Sequence, residues 1–112
     1  MTDQIEFKDF LKIDLRVGTI TNAKVFKEAK KSAYKLIIDL GDLGIKKSSA
    51  QITDQYEPPE LIGKQVICVC NFAKKQIGPI QSEVLVTGFV LDDKSVILVS
   101  ADKKVPNGSR LL

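Results

Sequence analysis

The sequence predicts an all-β protein, a small and partly closed barrel of five main strands. Two observations support this prediction. Five stretches of alternating or β-branched apolar residues are separated by turn residues, as expected for short strands. One longer interruption, TDQYEPPEL at residues 53–61, divides the third stretch from the fourth. Five strands favour a small barrel, because a sandwich usually needs about seven.

The first element is a short N-terminal helix. Phe7, Phe10 and Leu11 follow helical spacing within an otherwise polar and acidic stretch. A helix of this length leaves an apolar side that either the barrel or a second copy of the chain must cover. We therefore predict that Phe7, Phe10 and Leu11 belong to a dimer interface or a peptide-binding surface.

The strands follow in chain order. Gly18 lies inside the first strand and predicts a bulge or a strong bend there. The two prolines of residues 53–61 fit a loop that contains a short helix. Residues 73–81 are predicted to form a basic loop, and the tail from residue 101 consists mostly of turn residues. The predicted strands are residues 14–26, 34–40, 45–52, 65–72 and 82–91, with a short sixth at 95–99.

This order of elements is typical of an OB fold, which carries its connecting helix between strands three and four. The prediction is therefore a five-stranded OB-fold barrel with a short N-terminal helix and a short helix between strands 3 and 4. With 112 residues the chain has the usual size of one domain, so we expect a single domain over residues 1–112.

Composition and charge are those of an ordinary globular protein, with 44% apolar residues and a net charge of +3. No apolar run approaches the roughly 20 residues of a membrane helix. The N-terminus also lacks the basic start and apolar block of a secretory signal, so we expect a cytoplasmic protein without membrane insertion. Lysines crowd residues 24–35, where Glu28 is the only acidic residue. A small positive net charge is compatible with a nucleic-acid partner but does not require one.

The reactive side chains argue against catalysis and against a bound cofactor. Cys68 and Cys70 lie two apart on a predicted strand, where parallel side chains suit a disulfide poorly, so both are predicted to be reduced and buried. The chain has no histidine, which removes the usual proton shuttle and the commonest metal ligand. No nucleophile elbow or phosphate-binding glycine loop is present. We expect no enzyme activity, no metal and no cofactor.

Three polar stretches form a candidate RNA-binding surface: KKSSAQ at 46–51, NFAKK at 71–75 and QSE at 81–83. In an OB barrel these stretches can lie side by side. Ammonium groups contact phosphates, while hydroxyl and amide groups contact sugars and base edges. Lysine, a point charge, suits backbone binding more than base reading. The candidate residues are Lys46, Lys47, Ser48, Ser49, Gln51, Asn71, Lys74, Lys75 and Ser82.

Five segments together resemble the CsaA-type proteins of the tRNA-binding domain family. The resemblance covers almost the whole chain and implies an OB fold and a homodimer built partly from the terminal segments. It also implies two binding activities, one toward tRNA and one toward unfolded or pre-secretory polypeptides, the latter with a link to the export motor SecA. The segments are FLKIDLRVGTI (10–20), KLIIDLG (35–41), SSAQITDQYEPPELIGKQV (48–66), NFAKK (71–75) and SEVLVTG (82–88).

The resemblance also carries over individual positions and shows departures. The broader tRNA-binding family favours a His-Pro loop where this chain has FKEAKKSAY at 26–34, and Ser-Gly and Gly-Met where it has Ser-Ala at 49–50 and Val-Leu at 84–85. These departures are shared with the CsaA type. They weaken tRNA binding as the main task and strengthen polypeptide binding, and the sequence leaves both open. The alternative is a tRNA-binding module with no chaperone role. The tRNA-binding positions implied are Ser49, Asn71, Lys74, Lys75 and Ser82.

Overall fold

The computed structural model describes residues 2–112, in which short strands and helices surround one apolar core. The helices are α1 (Phe7–Leu11) and α2 (Pro58–Leu61), and a 3-10 turn covers Gly41–Leu43. The strands, in chain order, are β1 (Leu15–Val25), β2 (Tyr34–Asp39), β3 (Ile45–Ala50), β4 (Gln65–Val69), β5 (Lys75–Ile77), β6 (Ile80–Ser82), β7 (Leu85–Val86), β8 (Gly88–Val90) and β9 (Val96–Leu98).

Five strands form the central antiparallel sheet in the order β3-β2-β1-β4-β7. The sheet bends until β3 meets the segment between β6 and β7. There the Glu83 amide donates to the Lys47 carbonyl at 2.8 Å, and the Ser48 hydroxyl donates to the Val84 carbonyl at 3.0 Å. These contacts nearly close the barrel, which confirms the predicted five-stranded OB fold.

Strand β1 is long because it takes part in both halves of the barrel. Its first half pairs with β4 and its second half with β2, and the register shifts between Ile20 and Asn22. The predicted bulge is therefore present, but it lies after Gly18 instead of at it. A Cβ atom at Gly18 would lie 2.5 Å from Ile38 Cγ2 and 2.8 Å from a Leu40 methyl carbon, so glycine is needed for close packing.

The barrel interior is filled by alternate residues of the strands and by one residue of α2. Leu36 and Ile38 of β2 are fully buried, while Lys35 and Ile37, which alternate with them, face outward. Leu61, at the end of α2, is also fully buried beneath the interruption between β3 and β4. The predicted helix between strands three and four is thus confirmed, and it plugs the barrel.

The prediction of a loop at residues 73–81 is wrong, because most of this segment belongs to a β-hairpin that covers residues 75–82. Strands β5 and β6 pair in the register Lys75–Ser82 and Ile77–Ile80, and Gly78 has a positive φ of 52° in the turn. A loop prediction missed this hairpin because its strands are three residues long and mostly polar.

The predicted fifth strand at 82–91 is divided into two short strands. Its first part, β7, pairs with β4, whereas β8 leaves the central sheet and pairs with β9. The division falls at Thr87, whose amide and hydroxyl both donate to the Ile67 carbonyl, at 2.9 and 2.8 Å. The chain changes partner at this residue, because the Thr87 amide still bonds to β4 whereas the Thr87 carbonyl accepts from the Val99 amide at 3.3 Å, just beyond β9.

The C-terminal tail forms more structure than its turn-rich composition indicated. It runs along β1 on the edge that β2 leaves free, with the Leu111 amide donating to the Leu15 carbonyl at 2.9 Å. The Arg110 guanidinium donates to the Leu11 carbonyl at 2.8 Å and so ties the tail to α1. No helix within residues 2–112 has the length and apolar character to cross a membrane.

Both cysteines are free. Cys68 is fully buried, and burial raises the pKa of its thiol to about 12. Cys70 is only half-buried, so the prediction of two buried thiols is right for Cys68 alone. Burial also raises the pKa of Cys70, which keeps this thiol protonated near neutral pH.

Candidate nucleic-acid interface

Strand β3 divides its polar residues between the two faces of the sheet. Lys47 and Ser49 face outward, whereas Ser48 and Ala50 face the barrel interior. Ser48 is 1% exposed, and its hydroxyl donates to the Val84 carbonyl. Its assignment to the RNA-binding surface is therefore corrected, since no ligand reaches a side chain buried in this way.

Outward-facing cations and hydroxyls line up across several strands because of the strand register. Lys24 of β1 lies opposite Lys35 of β2, and Lys35 lies opposite Ser49 of β3. The Ser49 amide donates to the Ser82 hydroxyl at 3.1 Å, and Ser82 is paired with Lys75 of β5. We call these five residues the basic row. Neighbouring strands lie about 4.8 Å apart, so the row extends over roughly 19 Å.

Within residues 2–112, the two lysines at one end of the basic row, Lys24 and Lys35, have no partner of opposite charge. Like charges directly opposite on paired strands repel, as Lys24 and Lys35 do here. Within the described chain, the ammonium nitrogens of Lys24, Lys35 and the neighbouring Lys47 all lie more than 4.0 Å from any carboxylate oxygen. The Lys35 ammonium instead lies 5.5 Å from the centre of the Phe26 ring. These three lysines border a hollow of about 230 Å³, so an anion bound there would relieve their repulsion.

The sequence signalled Lys24 and Lys35 only as members of a lysine-rich segment. Of the five lysines between residues 24 and 35, these two are strand residues that border the hollow. Their spacing along the chain carries no such information, because the pairing of β1 with β2 is what places them side by side.

A groove of about 750 Å³ lies on the other side of Ser49 and Ser82. It brings together four of the predicted residues, namely Ser49, Gln51, Lys75 and Ser82. The other residues that line the groove are mainly apolar. Two of these residues, Phe72 and Val90, are strongly exposed, at 57% and 69%. The groove thus combines polar groups on one side with apolar surface on the other, which suits a base or an apolar side chain.

Glu83 places a carboxylate among these lysines. Its Oε2 accepts from the Lys47 amide at 2.8 Å, and its Oε1 lies 3.5 Å from the Lys74 ammonium. The hydrogen bond from the Lys47 amide, with further contributions from Lys74 and Lys46, holds the pKa of this carboxyl below its ordinary value, although burial opposes the shift. Lys74 is therefore paired in this structure, whereas Lys75 has no such partner within the described chain.

Asn71 is occupied by the backbone of a distant segment. Its Oδ1 accepts from the Asp14 amide at 2.9 Å, and its Nδ2 donates to the Lys12 carbonyl at 2.7 Å. The side chain thus fastens the connection between α1 and β1 to the end of β4. Its predicted contact with RNA is not supported by this arrangement.

The terminal segments carry a separate apolar surface. Phe7 of α1 is 67% exposed, Leu11 is exposed and Phe10 is half-buried, with the Phe7 and Phe10 ring centres 6.2 Å apart. The barrel covers little of this helix. We call these residues, together with Ile5, Ile13, Leu111 and Leu112, which are exposed as well, the terminal apolar surface.

Most of the chain is similar to a known family of domains. Residues 15–110 match the family described as "Putative tRNA binding domain". The chain therefore belongs to the tRNA-binding domain family. This family is a binding domain and not a catalytic family.

Within that family the chain is of the CsaA type. A crystal structure of the chaperone CsaA from Bacillus anthracis is 46% identical, covers 98% of this chain and 100% of that one, and superposes with a TM-score of 0.93. The CsaA chaperone from Picrophilus torridus is 48% identical, with 97% and 100% coverage and a TM-score of 0.90. These similarities confirm the resemblance noted in the sequence.

A longer relative contains a similar segment. The methionine–tRNA ligase of Methanococcoides burtonii is 36% identical over 107 residues, which are 96% of this chain and 16% of the ligase. The chain thus spans a small part of that curated relative.

Proposed function

We propose that the protein binds tRNA through the basic row and the adjoining groove. The observation that carries this proposal is the register that aligns Lys24, Lys35, Ser49, Ser82 and Lys75 beside a half-apolar groove. Membership of the tRNA-binding domain family supports the same conclusion. The chain itself is proposed to be a binding protein and not an enzyme.

Two kinds of contact would contribute to binding. The lysines at the ends of the row contact backbone phosphates and supply a salt-dependent part of the affinity. The groove accepts an unpaired nucleotide, whose base stacks on the exposed Phe72 ring and whose sugar or base edge meets Ser49 and Gln51. The sheet would thus hold the backbone, and the groove would favour unpaired regions of a folded RNA.

A titration with labelled tRNA at several salt concentrations tests this proposal. Each phosphate contact steepens the dependence of log K on log salt by about 0.7 to 0.9. Contacts from the three lysines of the row and the neighbouring Lys47 therefore predict a slope of about −3. Absence of binding at low salt, or a slope near zero, would contradict the proposal.

A second candidate function is binding of unfolded or pre-secretory polypeptides. The apolar wall of the groove favours it, since exposed apolar patches of this kind mark interaction sites. The similar solved structures are described as chaperones. The link to SecA and a cytoplasmic location stay predictions of the resemblance.

Suppression of aggregation separates this function from RNA binding. A chemically unfolded client should stay dispersed with the wild-type protein at high salt, where phosphate contacts are screened. Val90→Ser, which makes the exposed wall of the groove polar, should reduce this protection, while Lys24→Gln should leave it intact. Equal aggregation with and without the protein would eliminate the chaperone function.

We further propose that a second copy of the chain covers the terminal apolar surface, giving a homodimer. The exposed Phe7 and Leu11 beside the docked tail support this arrangement. Sedimentation of the wild type at micromolar concentration should give about twice the 12.4 kDa chain mass. A monomer mass for the wild type would refute the dimer.

A further inference from the structure

Glu83 has an unexpected position for an acidic residue. Among the described residues it is the only acid that lines the groove, and it lies beside Lys74 and Lys47. Its side chain is 17% exposed, so the carboxylate is largely shielded from water. A negative charge at a phosphate-binding surface repels the ligand. Its presence there therefore indicates that the carboxylate has another task.

The two carboxylate oxygens of Glu83 have different partners. Oε2 accepts from the Lys47 amide, next to the bond from the Glu83 amide to the Lys47 carbonyl, and both bonds measure 2.8 Å. These bonds join β3 to the opposite edge of the barrel. Oε1 faces the Lys74 ammonium, which is itself 58% exposed. One oxygen therefore helps to close the barrel, while the other pairs with an exposed surface lysine.

We propose that Glu83 is an internal competitor for RNA phosphate, which holds Lys74 in an ion pair that a bound phosphate must replace. This inference rests on the proposed binding of RNA to the same surface. Since the Lys47 amide uses the other oxygen, the ion pair opens without opening the barrel. The ion pair is weak because its two charged atoms are 3.5 Å apart and Lys74 is 58% exposed, so a phosphate displaces Glu83 readily.

The competition has a consequence for selectivity. Any polyanion that meets the surface can contact Lys24, Lys35 and Lys75, whereas Lys74 becomes available only when a phosphate lies close enough to displace Glu83. Weak and poorly fitting polyanions therefore gain less from this surface than a ligand whose backbone follows the groove. Glu83 acts here as a positioning residue, through Lys74.

The decisive variant is Glu83→Gln, which removes the charge but keeps a carbonyl oxygen for the Lys47 amide. Its control is Asp102→Asn, which changes the net charge equally at an exposed position outside the groove. We expect Glu83→Gln to bind labelled tRNA about threefold more tightly, with a steeper salt dependence, because Lys74 is freed. Asp102→Asn should show neither change. Equal behaviour of the two variants would overturn the proposal.

The same substitution in a Lys74→Gln background isolates the ion pair. We expect Glu83→Gln to lose most of its threefold gain there, because no lysine is left to release. A gain that persists would show that Glu83 acts through general charge repulsion, and the proposal would be wrong. Thermal unfolding and the amide resonance of Lys47 should stay close to wild type in Glu83→Gln, which shows that the barrel remains closed.

Inorganic polyphosphate is the second probe and separates this inference from the proposed function. If tRNA fails to bind but polyphosphate affinity rises in Glu83→Gln and not in Asp102→Asn, tRNA binding is wrong and the competition is right. If tRNA binds and the two variants agree, the competition is wrong and tRNA binding stands. If neither polyanion binds the wild type, both proposals fail.

Discussion

The two ends of the basic row are held in place by different parts of the molecule. Lys24 and Lys35 lie on β1 and β2, whose inward residues belong to the fully buried core. Lys75 lies on the β5–β6 hairpin, a separate two-stranded sheet joined to β3 mainly through Ser82 and Glu83. The sheet end cannot move without disturbing the core, whereas the hairpin end has few buried residues, so we expect it to adjust more easily to a ligand. We call the end of the row with Lys24 and Lys35 the fixed end, and the end with Lys75 the adaptable end.

The largest effect should come from removing core support beneath the fixed end. Leu36→Ala deletes a fully buried side chain next to Lys35 and should lower the free energy of unfolding by about 3 kcal/mol. Its counterpart in the hairpin, Ile80→Ala, removes a half-buried side chain and should cost about 1 kcal/mol or less. Urea denaturation measures both, and equal losses would show that the hairpin belongs to the core.

The second effect concerns the charge of the fixed end. Lys24→Gln combined with Lys35→Gln should weaken tRNA binding about tenfold and lower the salt slope by about 2, since each lost phosphate contact lowers it by about 1. The double variant Lys103→Gln with Lys104→Gln removes the same charge from exposed tail positions outside the row and groove. If the tail variant weakens binding as much, the basic row has no special role.

The strands of the barrel could be predicted from alternation, but the positions of side chains across it could not. Leu36 and Ile38 mark the inward face of β2, and the predicted strand at 34–40 matches Tyr34–Asp39 closely. In β3 the run KKSSA offers no large apolar residue that marks a face, which is why Ser48 was placed on the wrong side.

Contacts between distant segments also could not be predicted. The partners of Asn71 lie 57 and 59 residues away in the chain, and those of Glu83 include Lys47, 36 residues away. These pairs depend on how the barrel closes, and no local pattern in the sequence encodes them. The lysine stretches themselves were visible in the sequence, but the predicted site omitted Lys24 and Lys35, because only the strand register places them beside Ser49.

The third effect should be confined to the adaptable end. Gly78 has a φ of 52° at the hairpin turn, and a Cβ atom there would meet only ordinary contacts. Gly78→Ala therefore adds conformational strain without a clash, and it shifts the hairpin that carries Lys75. We expect tRNA binding to weaken about threefold, with little change in the urea midpoint. A large loss of stability would indicate that the two ends of the row fold as one unit.

The smallest effect is a pH dependence at the junction of the two ends. The pKa of Glu83 is lowered on folding, first by the Lys47 amide, so the carboxylate contributes stability above its unfolded pKa of about 4.3. That contribution, about 0.5 kcal/mol, is lost as the pH falls through the lower folded value. The difference in unfolding free energy between wild type and Glu83→Gln should therefore be larger at pH 6 than at pH 3. Asp93, whose pKa is lowered by Ser95, affects both proteins equally and cancels. A difference that grows on acidification would mean that the carboxylate does not fasten the hairpin side to β3.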